Sequence, residues 1–138
     1  MNLTIDDARA ALQAQPFSAL LGTELVSFDS RSVELRIPVA DRLRQQHGFI
    51  HGGVISYAVD NALTFAGGAA LGPAVVTSEF KVNFLRLGKG EALVARASVV
   101  PAGRTQAVCR CEVFCVEAGT ETLCAVAQGT IAALGSPK

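Results

Sequence analysis

The stretch HGGVISYAVD, residues 51–60, places one carboxylate inside an otherwise uncharged and apolar run of the chain. Asp60 is the only residue with a formal charge between Gly52 and Ser78. An ionised carboxylate is costly to bury unless it is hydrogen-bonded, paired with a cation or used in chemistry. The stretch therefore predicts the beginning of a functional helix around which the rest of the chain packs.

Residues 54–66 are predicted to be helical, and a rotation of about 100° per residue sorts them into two unlike faces. The face with Asp60 holds small or hydrogen-bonding residues: Gly53, Ser56, Tyr57, Thr64 and Gly67. The opposite face is apolar, as in a helix packed on a sheet: Val54, Ile55, Ala58, Ala62, Phe65 and Ala66. Because Asp60 is central and a glycine pair and Pro73 follow, we expect a buried helix and then a turn, with no membrane insertion.

Alternating residues on both sides of this helix predict β-strands. Residues 25–28 and 33–37 predict a hairpin. After Pro73, four alternating segments predict antiparallel strands, joined by short connections at residues 87–90, 101–103 and 118–120. Their expected inward rows are Val76, Ser78, Phe80, Val82 and Phe84; Leu93, Ala95, Ala97 and Val99; Ala107, Cys109, Cys111, Val113 and Cys115; and Leu123, Ala125, Ala127 and Ile131.

The N-terminal residues 1–22 predict a separate helical segment. Thr4 precedes two acids and good helix formers, which is typical of an N-cap, and a second apolar turn is expected from Pro16 to Gly22. Together with the strands, this predicts a single α+β domain over residues 1–138. Its sheet is antiparallel and curves around the long central helix.

Composition narrows the class of partner. The 138 residues are 50% hydrophobic, and 12 basic residues balance 12 acidic ones. Such a chain lacks the positive charge that nucleic acids or anionic membranes attract, so a small molecule or another protein is the expected partner. The apolar composition favours a homo-oligomer. Early acids at the N-terminus, with no signal-peptide pattern, favour a cytoplasmic location.

The four cysteines and two histidines do not predict a metal site. Cys109, Cys111 and Cys115 share one parity, so on a strand they point to one face, where reduced cysteine behaves as a small hydrophobe. No cysteine pair has the spacing of a zinc site. His47 and His51 lie four residues apart, but the neighbouring glycines favour a loop instead of the helix that a shared metal would need.

Two motifs resemble a known family. GFIHGG at residues 48–53, followed by Asp60, and NFLR at residues 83–86 resemble the hotdog-fold acyl-CoA thioesterases of the phenylacetate-type (PaaI-like) group. The resemblance extends over about residues 17–133. It implies a hotdog fold and hydrolysis of an acyl-CoA to a free acid and coenzyme A, which is part of the substrate, with no further cofactor.

The resemblance also implies roles for individual residues. The Gly52 N–H would polarise the thioester carbonyl, and the Asp60 carboxylate would act as nucleophile or general base. Gln45 occupies a position where related enzymes carry Asn or Gln to orient the water or carbonyl. Thr77 falls where some relatives carry a supporting hydroxyl, and His51 matches the motif with a role that is structural or thioester-contacting.

Other residues are expected to bind substrate. Gly53 allows close approach at the start of the helix, and Thr64 lies on the Asp60 face. If the pocket lies along the helix, the acyl group would sit against Tyr57, Phe65 or Phe17. Arg86 and Lys89 are the expected contacts for the phosphates of coenzyme A, because phosphate binding needs cations or free N–H donors.

The spacing of Gly52 and Asp60 has a consequence for assembly. Eight residues separate them, which is about 12 Å along a helix. That distance is too long for one reacting carbonyl. Two copies of the helix that run antiparallel across a two-fold axis would bring Gly52 of one subunit to Asp60 of the other. We therefore expect a site shared across a dimer, with a tetramer as the larger assembly.

Three other interpretations stay open on the sequence. A hotdog-type enoyl-CoA hydratase or dehydratase would also use a histidine and an acid, which His51 and Asp60 provide. A non-catalytic acyl-CoA binding module would need no carboxylate. Asp60 also fits a satisfied polar residue at a subunit interface, and His51 fits a structural hydrogen bond at the start of the helix.

Overall fold

A six-stranded antiparallel sheet wraps around one long helix in the computed structural model of the chain, which describes residues 3–100 and 103–135. The helices are α1 (Ile5–Gln13), α2 (Pro16–Leu21) and α3 (Gly52–Leu71), with a 3-10 turn at Asp41–Leu43. The strands are β1 (Glu24–Phe28), β2 (Ser32–Pro38), β3 (Val75–Phe84), β4 (Ala92–Val99), β5 (Gln106–Glu117) and β6 (Thr120–Ala133). The predicted order of elements is confirmed. Pro101 and Ala102 of one predicted connection lie outside the described residues.

The order of strands leaves two edges. It runs β1-β2-β4-β5-β6-β3, with every neighbouring pair antiparallel. Helix α3 packs against β2 through β6. The largest fully buried side chains come from both layers and include Leu35, Leu63, Leu93, Val113 and Ile131. Because β3 is an edge strand, the side of α3 next to it is less enclosed than the side under the centre of the sheet.

The N-terminal helices begin and end where the sequence predicts. Thr4 Oγ1 accepts a hydrogen bond from the Asp7 N–H at 3.1 Å, and the Asp7 carboxylate accepts one from the Thr4 N–H at 2.9 Å. These bonds lower the pKa of Asp7. Helix α2 begins at Pro16 and ends at Gly22, whose φ of 74° suits glycine. Both helices are therefore held by local signals.

Helix α3 is longer than predicted, because its glycine pair does not end it. A Cβ added at Gly67 would lie 2.5 Å from the Cβ of Ile131, so this glycine allows β6 to approach the helix closely. Gly67 lies two turns beyond Asp60 on the same helix face, and β6 covers that face at Gly67. Phe65, predicted to pack on the sheet, is only half-buried and faces α1. By length and composition α3 resembles a membrane span, but half of it is buried inside the fold.

A β-bulge in β3 changes which residues point inward. The pairing with β6 shifts by one residue between Thr77 and Glu79. The alternation therefore reverses, and Thr77 faces the helix before the bulge while Phe80 and Val82 do so after it. The predicted inward positions of Val76 and Ser78 are wrong, and both residues are exposed. Phe84 is wrong too, because it lies at the end of the strand with its ring beside Gly52.

The inward rows of β4 and β5 are confirmed, apart from half-buried Val99. In β6, Ala125 and Ile131 are buried as expected, Leu123 and Ala127 are half-buried, and a register shift against β5 turns Cys124 inward as well. All four cysteines are free and buried. Burial raises the pKa of Cys109 to about 11 and that of Cys111 to about 12, so both thiols stay protonated at neutral pH.

Candidate active site

His51 caps the start of α3. Its Nδ1 accepts a hydrogen bond from the Gly53 N–H at 2.8 Å, and its carbonyl oxygen accepts one from the Val54 N–H at 3.0 Å. An added Cβ at Gly53 would lie 2.9 Å from that Nδ1, so glycine is what lets the ring fold over the helix. A neutral ring that accepts at Nδ1 carries its proton on Nε2. The structure thus gives both His51 and Gly53 a role in capping.

The Gly52 N–H is the first free donor of the helix. No acceptor in the described part of the chain lies within hydrogen-bond distance of it. The next N–H along the helix, that of Gly53, donates to His51. The ring of Phe84 lies beside Gly52, at 3.6 Å from the position of an added Cβ. An unpaired N–H at the positive end of a twenty-residue helix is suited to bind the oxygen of a polarised carbonyl.

Gln45 and Gly52 both line an open groove of about 400 Å³. Phe84, Leu85 and Arg86 form another part of its lining. The Gln45 side-chain oxygen accepts a hydrogen bond from the His47 N–H, which fixes the direction of the amide within its loop. The amide nitrogen of Gln45 is therefore the end that is left to face a ligand in the groove.

Asp60 lies at the centre of a small network of hydroxyl groups. The Thr77 hydroxyl donates to Asp60 Oδ1 at 2.6 Å, and Thr64 Oγ1 lies 2.9 Å from Thr77 Oγ1. Thr64 Oγ1 also lies 2.7 Å from the Asp60 carbonyl oxygen, to which it donates. The hydrogen bond from Thr77 holds the Asp60 carboxyl group in one orientation. The bulge that turns Thr77 inward is what completes the network.

The two halves of the predicted site do not meet within one chain. Gly52 and Asp60 lie eight residues apart on the continuous helix α3, which is about 12 Å along its axis. The groove at Gly52 does not include Asp60 in its lining. The chain therefore presents a carbonyl-binding half with Gln45 and a carboxylate half with Thr64 and Thr77.

Tyr57 has a structural role in the chain. Its hydroxyl donates to Ser18 Oγ at 2.6 Å and lies 2.7 Å from Thr23 Oγ1. The Asn61 amide donates to the same tyrosine oxygen at 3.1 Å and to Ser18 at 3.3 Å. This buried network ties α2 to α3. Asn61 is not among the site residues predicted from the sequence. Its signal there is that it is a second polar residue, next to Asp60, in the same apolar run.

Arg86 and Lys89 line a second groove of about 350 Å³. Arg86 also lines the groove at Gly52, so the two grooves adjoin. The Lys89 ammonium lies 5.6 Å from the centre of the Phe49 ring, a cation–π contact on the surface. Two cations beside the carbonyl-binding half are suited to hold phosphate groups.

Cys115 lines the same second groove. Its pKa is lowered to about 7, mainly by a hydrogen bond from the Cys124 thiol, whose own pKa is raised.

Among the described residues, no three His, Cys, Asp or Glu side chains come together as a metal site would need. In particular, His51 already uses one ring nitrogen for the helix cap, and His47 lies in a loop.

Comparison with known proteins places these features in context. Residues 47–122, which include Gly52, Asp60, Thr64 and Thr77, match the model of the thioesterase superfamily. The chain is 37% identical to a thioesterase family protein from Silicibacter pomeroyi, over 91% of this chain and 94% of that one, with a TM-score of 0.87. A conserved protein from Pseudomonas aeruginosa is 33% identical, over 92% and 99% of the two chains, with a TM-score of 0.80.

A more distant likeness concerns the fold alone. The PaaI protein of the Escherichia coli phenylacetic acid degradation operon is 24% identical, over 95% of this chain and 93% of that one, with a TM-score of 0.82. Together with the sheet wrapped around one long helix, these likenesses confirm the predicted hotdog fold.

Proposed function

Because this chain belongs to the thioesterase superfamily, as a thioester hydrolase with a PaaI-like hotdog fold, we propose that it hydrolyses acyl-CoA thioesters to a free acid and coenzyme A. The observation that carries the proposal is the pair of half-sites on α3. One offers a free N–H donor at Gly52, and the other offers a carboxylate at Asp60 held by Thr77. Thioester hydrolysis needs both kinds of group.

The Gly52 N–H stabilises the negative charge that develops on the carbonyl oxygen, and the Gln45 amide nitrogen assists from the same groove. Asp60 supplies the attack in one of two ways. As a general base it takes a proton from the attacking water, and as a nucleophile it bonds to the carbonyl carbon and forms an anhydride that water opens. In both routes the C–S bond breaks and the thiolate of coenzyme A leaves.

A dimer formed through β3 would join the two half-sites. Gly52 lies beside Phe84 at the end of β3, and Asp60 bonds to Thr77 near its beginning. If the free edge of β3 pairs antiparallel with its copy about a point between Phe80 and Lys81, Phe84 of one strand comes opposite Thr77 of the other. Gly52 of one subunit then meets Asp60 of its partner.

The exposed residues of β3 support this assembly. β3 pairs only with β6 in the described residues, so its other edge offers unpaired N–H and C=O groups. Val76 is 46% exposed and Phe84 is 53% exposed, which is high for apolar side chains on a structured strand. A second copy would cover both. In the resulting site, Arg86 and Lys89 lie on the Gly52 side, where they would contact the phosphates of coenzyme A.

The function is tested by following thiol release from a panel of acyl-CoA thioesters. We expect thiol to appear with at least one member of the panel, at a rate proportional to enzyme. An enoyl-CoA hydratase would instead consume an enoyl-CoA without releasing thiol. A binding module would bind the ligands and release none, so either result would contradict the proposal.

The shared site is tested by mixing two inactive variants. Gly52→Pro removes the N–H that binds the carbonyl. Proline is tolerated at the first position of a helix, which Gly52 occupies. The preceding residue, His51, already has the extended backbone that proline requires before it (ψ 135°). The second variant is Asp60→Asn. After unfolding and refolding together, half of the dimers combine both chains, and each holds one intact site, so activity should return to about one quarter of wild type by statistical mixing.

The matched control is Gly52→Ala, which keeps the N–H and adds a Cβ in ordinary contact with Phe84. It should retain far more activity than Gly52→Pro. If the mixture of Gly52→Pro and Asp60→Asn stays as inactive as its parents, the two groups do not come from different subunits.

A further inference from the structure

A cavity of about 190 Å³ lies between α1 and the second half of α3. Thr64, Phe65 and Gly68 line it from the central helix, and Ala8 and Ala11 line it from α1. The remaining wall includes Phe28 of β1 and Val75 of β3. The cavity is therefore lined mainly by apolar side chains from four different elements, and it opens to solvent beside α1, where Asp7 and Ala11 are exposed.

The polar side chains at this cavity already have partners inside the protein. Asp7 accepts from Thr4 in the cap of α1, and Gln15 accepts from the Ser18 hydroxyl at 2.6 Å. The Thr64 hydroxyl donates to the backbone carbonyl oxygen of Asp60. No buried side-chain nitrogen or oxygen in the described residues lacks a hydrogen bond. The cavity thus offers apolar contact and makes little polar demand of its own.

The cavity begins one helical turn beyond Asp60 on α3. Thr64 lies one turn beyond Asp60 and Gly68 lies two turns beyond it, at about 6 Å and 12 Å along the axis. In the shared site, coenzyme A approaches from the Gly52 half of the other subunit. Because Thr64 both donates to the Asp60 carbonyl oxygen and lines the cavity, the acyl group of a thioester held at Asp60 can enter the cavity past Thr64.

We infer that this cavity receives the acyl group of the substrate and that α1 limits its size, an inference that rests on the proposed thioesterase function. An apolar cavity of about 150 Å³ is known to hold a benzene molecule. The volume of about 190 Å³ accordingly fits one aromatic ring with a short linker, or an alkyl chain of roughly six carbons, the carbon count of that ring. Long-chain acyl groups exceed it.

The experiment compares two identical substitutions on neighbouring residues of α1. Ala11→Leu places a larger side chain at the exposed rim of the cavity, whereas Ala10→Leu places the same side chain on the surface of the helix outside the lining. Each variant is assayed by thiol release from acetyl-, hexanoyl-, phenylacetyl- and palmitoyl-CoA. The hexanoyl and phenylacetyl arms separate a preference for alkyl groups from one for aromatic groups.

We expect wild type and Ala10→Leu to share one profile, with hexanoyl- or phenylacetyl-CoA preferred over palmitoyl-CoA. Ala11→Leu should lower kcat/KM for the preferred substrate by about tenfold or more relative to acetyl-CoA, since a few methylene groups in an apolar pocket have effects of this size. Phe65→Leu enlarges the same cavity from α3 and should shift the preference towards longer chains, which provides a second test if Ala11→Leu folds poorly.

Two results overturn the inference, and they are distinguishable. If Ala11→Leu and Phe65→Leu hydrolyse the panel with the profile of Ala10→Leu, the acyl group binds elsewhere while the thioesterase function stands. If the wild-type protein releases no thiol from any acyl-CoA, the proposed function and this inference fail together.

Discussion

Replacing Asp60 with Asn should lower kcat for thioester hydrolysis by about 10²- to 10⁴-fold, the range expected when a group that activates the attack is lost. Asn has nearly the same shape, and its Oδ1 can still accept the hydrogen bond that Thr77 donates to Asp60 at 2.6 Å. The packing of α3 on β3 should therefore persist. Thiol release gives the rate, and the melting temperature and elution volume of the variant show that fold and assembly are retained.

Two substitutions of Thr77 test how much the orientation of Asp60 contributes to the rate. Thr77→Val keeps the shape of the side chain but removes the hydroxyl that orients the carboxylate, and it should lower kcat by about 10- to 100-fold through misplacement of Asp60. Thr77→Ser restores a hydroxyl and should recover most of the rate. If Asp60→Asn hydrolyses acyl-CoA at a rate near wild type, Asp60 is a structural residue and another group performs the attack.

Substituting the two neighbouring glycines of α3 with alanine should change stability in opposite directions. Alanine is favoured over glycine inside a helix by about 1 kcal/mol. At Gly68 the new Cβ would lie 3.7 Å from Val75 Cγ2, an ordinary contact, so Gly68→Ala should stabilise the protein by up to about 1 kcal/mol. At Gly67 the new Cβ would lie 2.5 Å from the Cβ of Ile131, an atom that no rotamer change can move.

Gly67→Ala should accordingly reduce the free energy of unfolding by about 1–3 kcal/mol, because α3 and β6 must separate to admit the methyl group. Denaturant unfolding at one protein concentration measures both variants, and keeping that concentration fixed removes the contribution of subunit association. Equal effects of the two substitutions would mean that β6 does not approach the helix as closely as the structure indicates.

The sequence is most informative where local chemistry decides the structure. The charge pattern around Asp60 predicts the central helix, and the N-cap at Thr4 and the stop at Gly22 predict the ends of α1 and α2, because each signal depends on residues a few positions apart. Gln45 and Gly52 line one groove, while their predicted roles in catalysis stay predictions. These predictions need no knowledge of the sheet.

Predictions that depend on the partner of a residue are less successful. The alternation of β3 gives the wrong side for Val76 and Ser78, because the bulge at Thr77 arises from the pairing with β6, and nothing in the spacing of β3 marks it. Gly67 reads as the end of a helix, although its actual function is to let Ile131 approach. Likewise, the cavity at Phe65 forms only when α1 folds over α3.

Helix α1 is held in place independently of the half-sites on α3. It lies outside residues 47–122, the segment that matches the superfamily model. Its own cap, contacts with β1 and α2, and hydrogen bonds from Arg9 to the Leu25 carbonyl oxygen hold it in place. Mutations in α1 therefore leave the reacting groups untouched. If the acyl group binds in the cavity beside α1, substitutions in this helix would change which acyl group is accepted without altering the half-sites on α3.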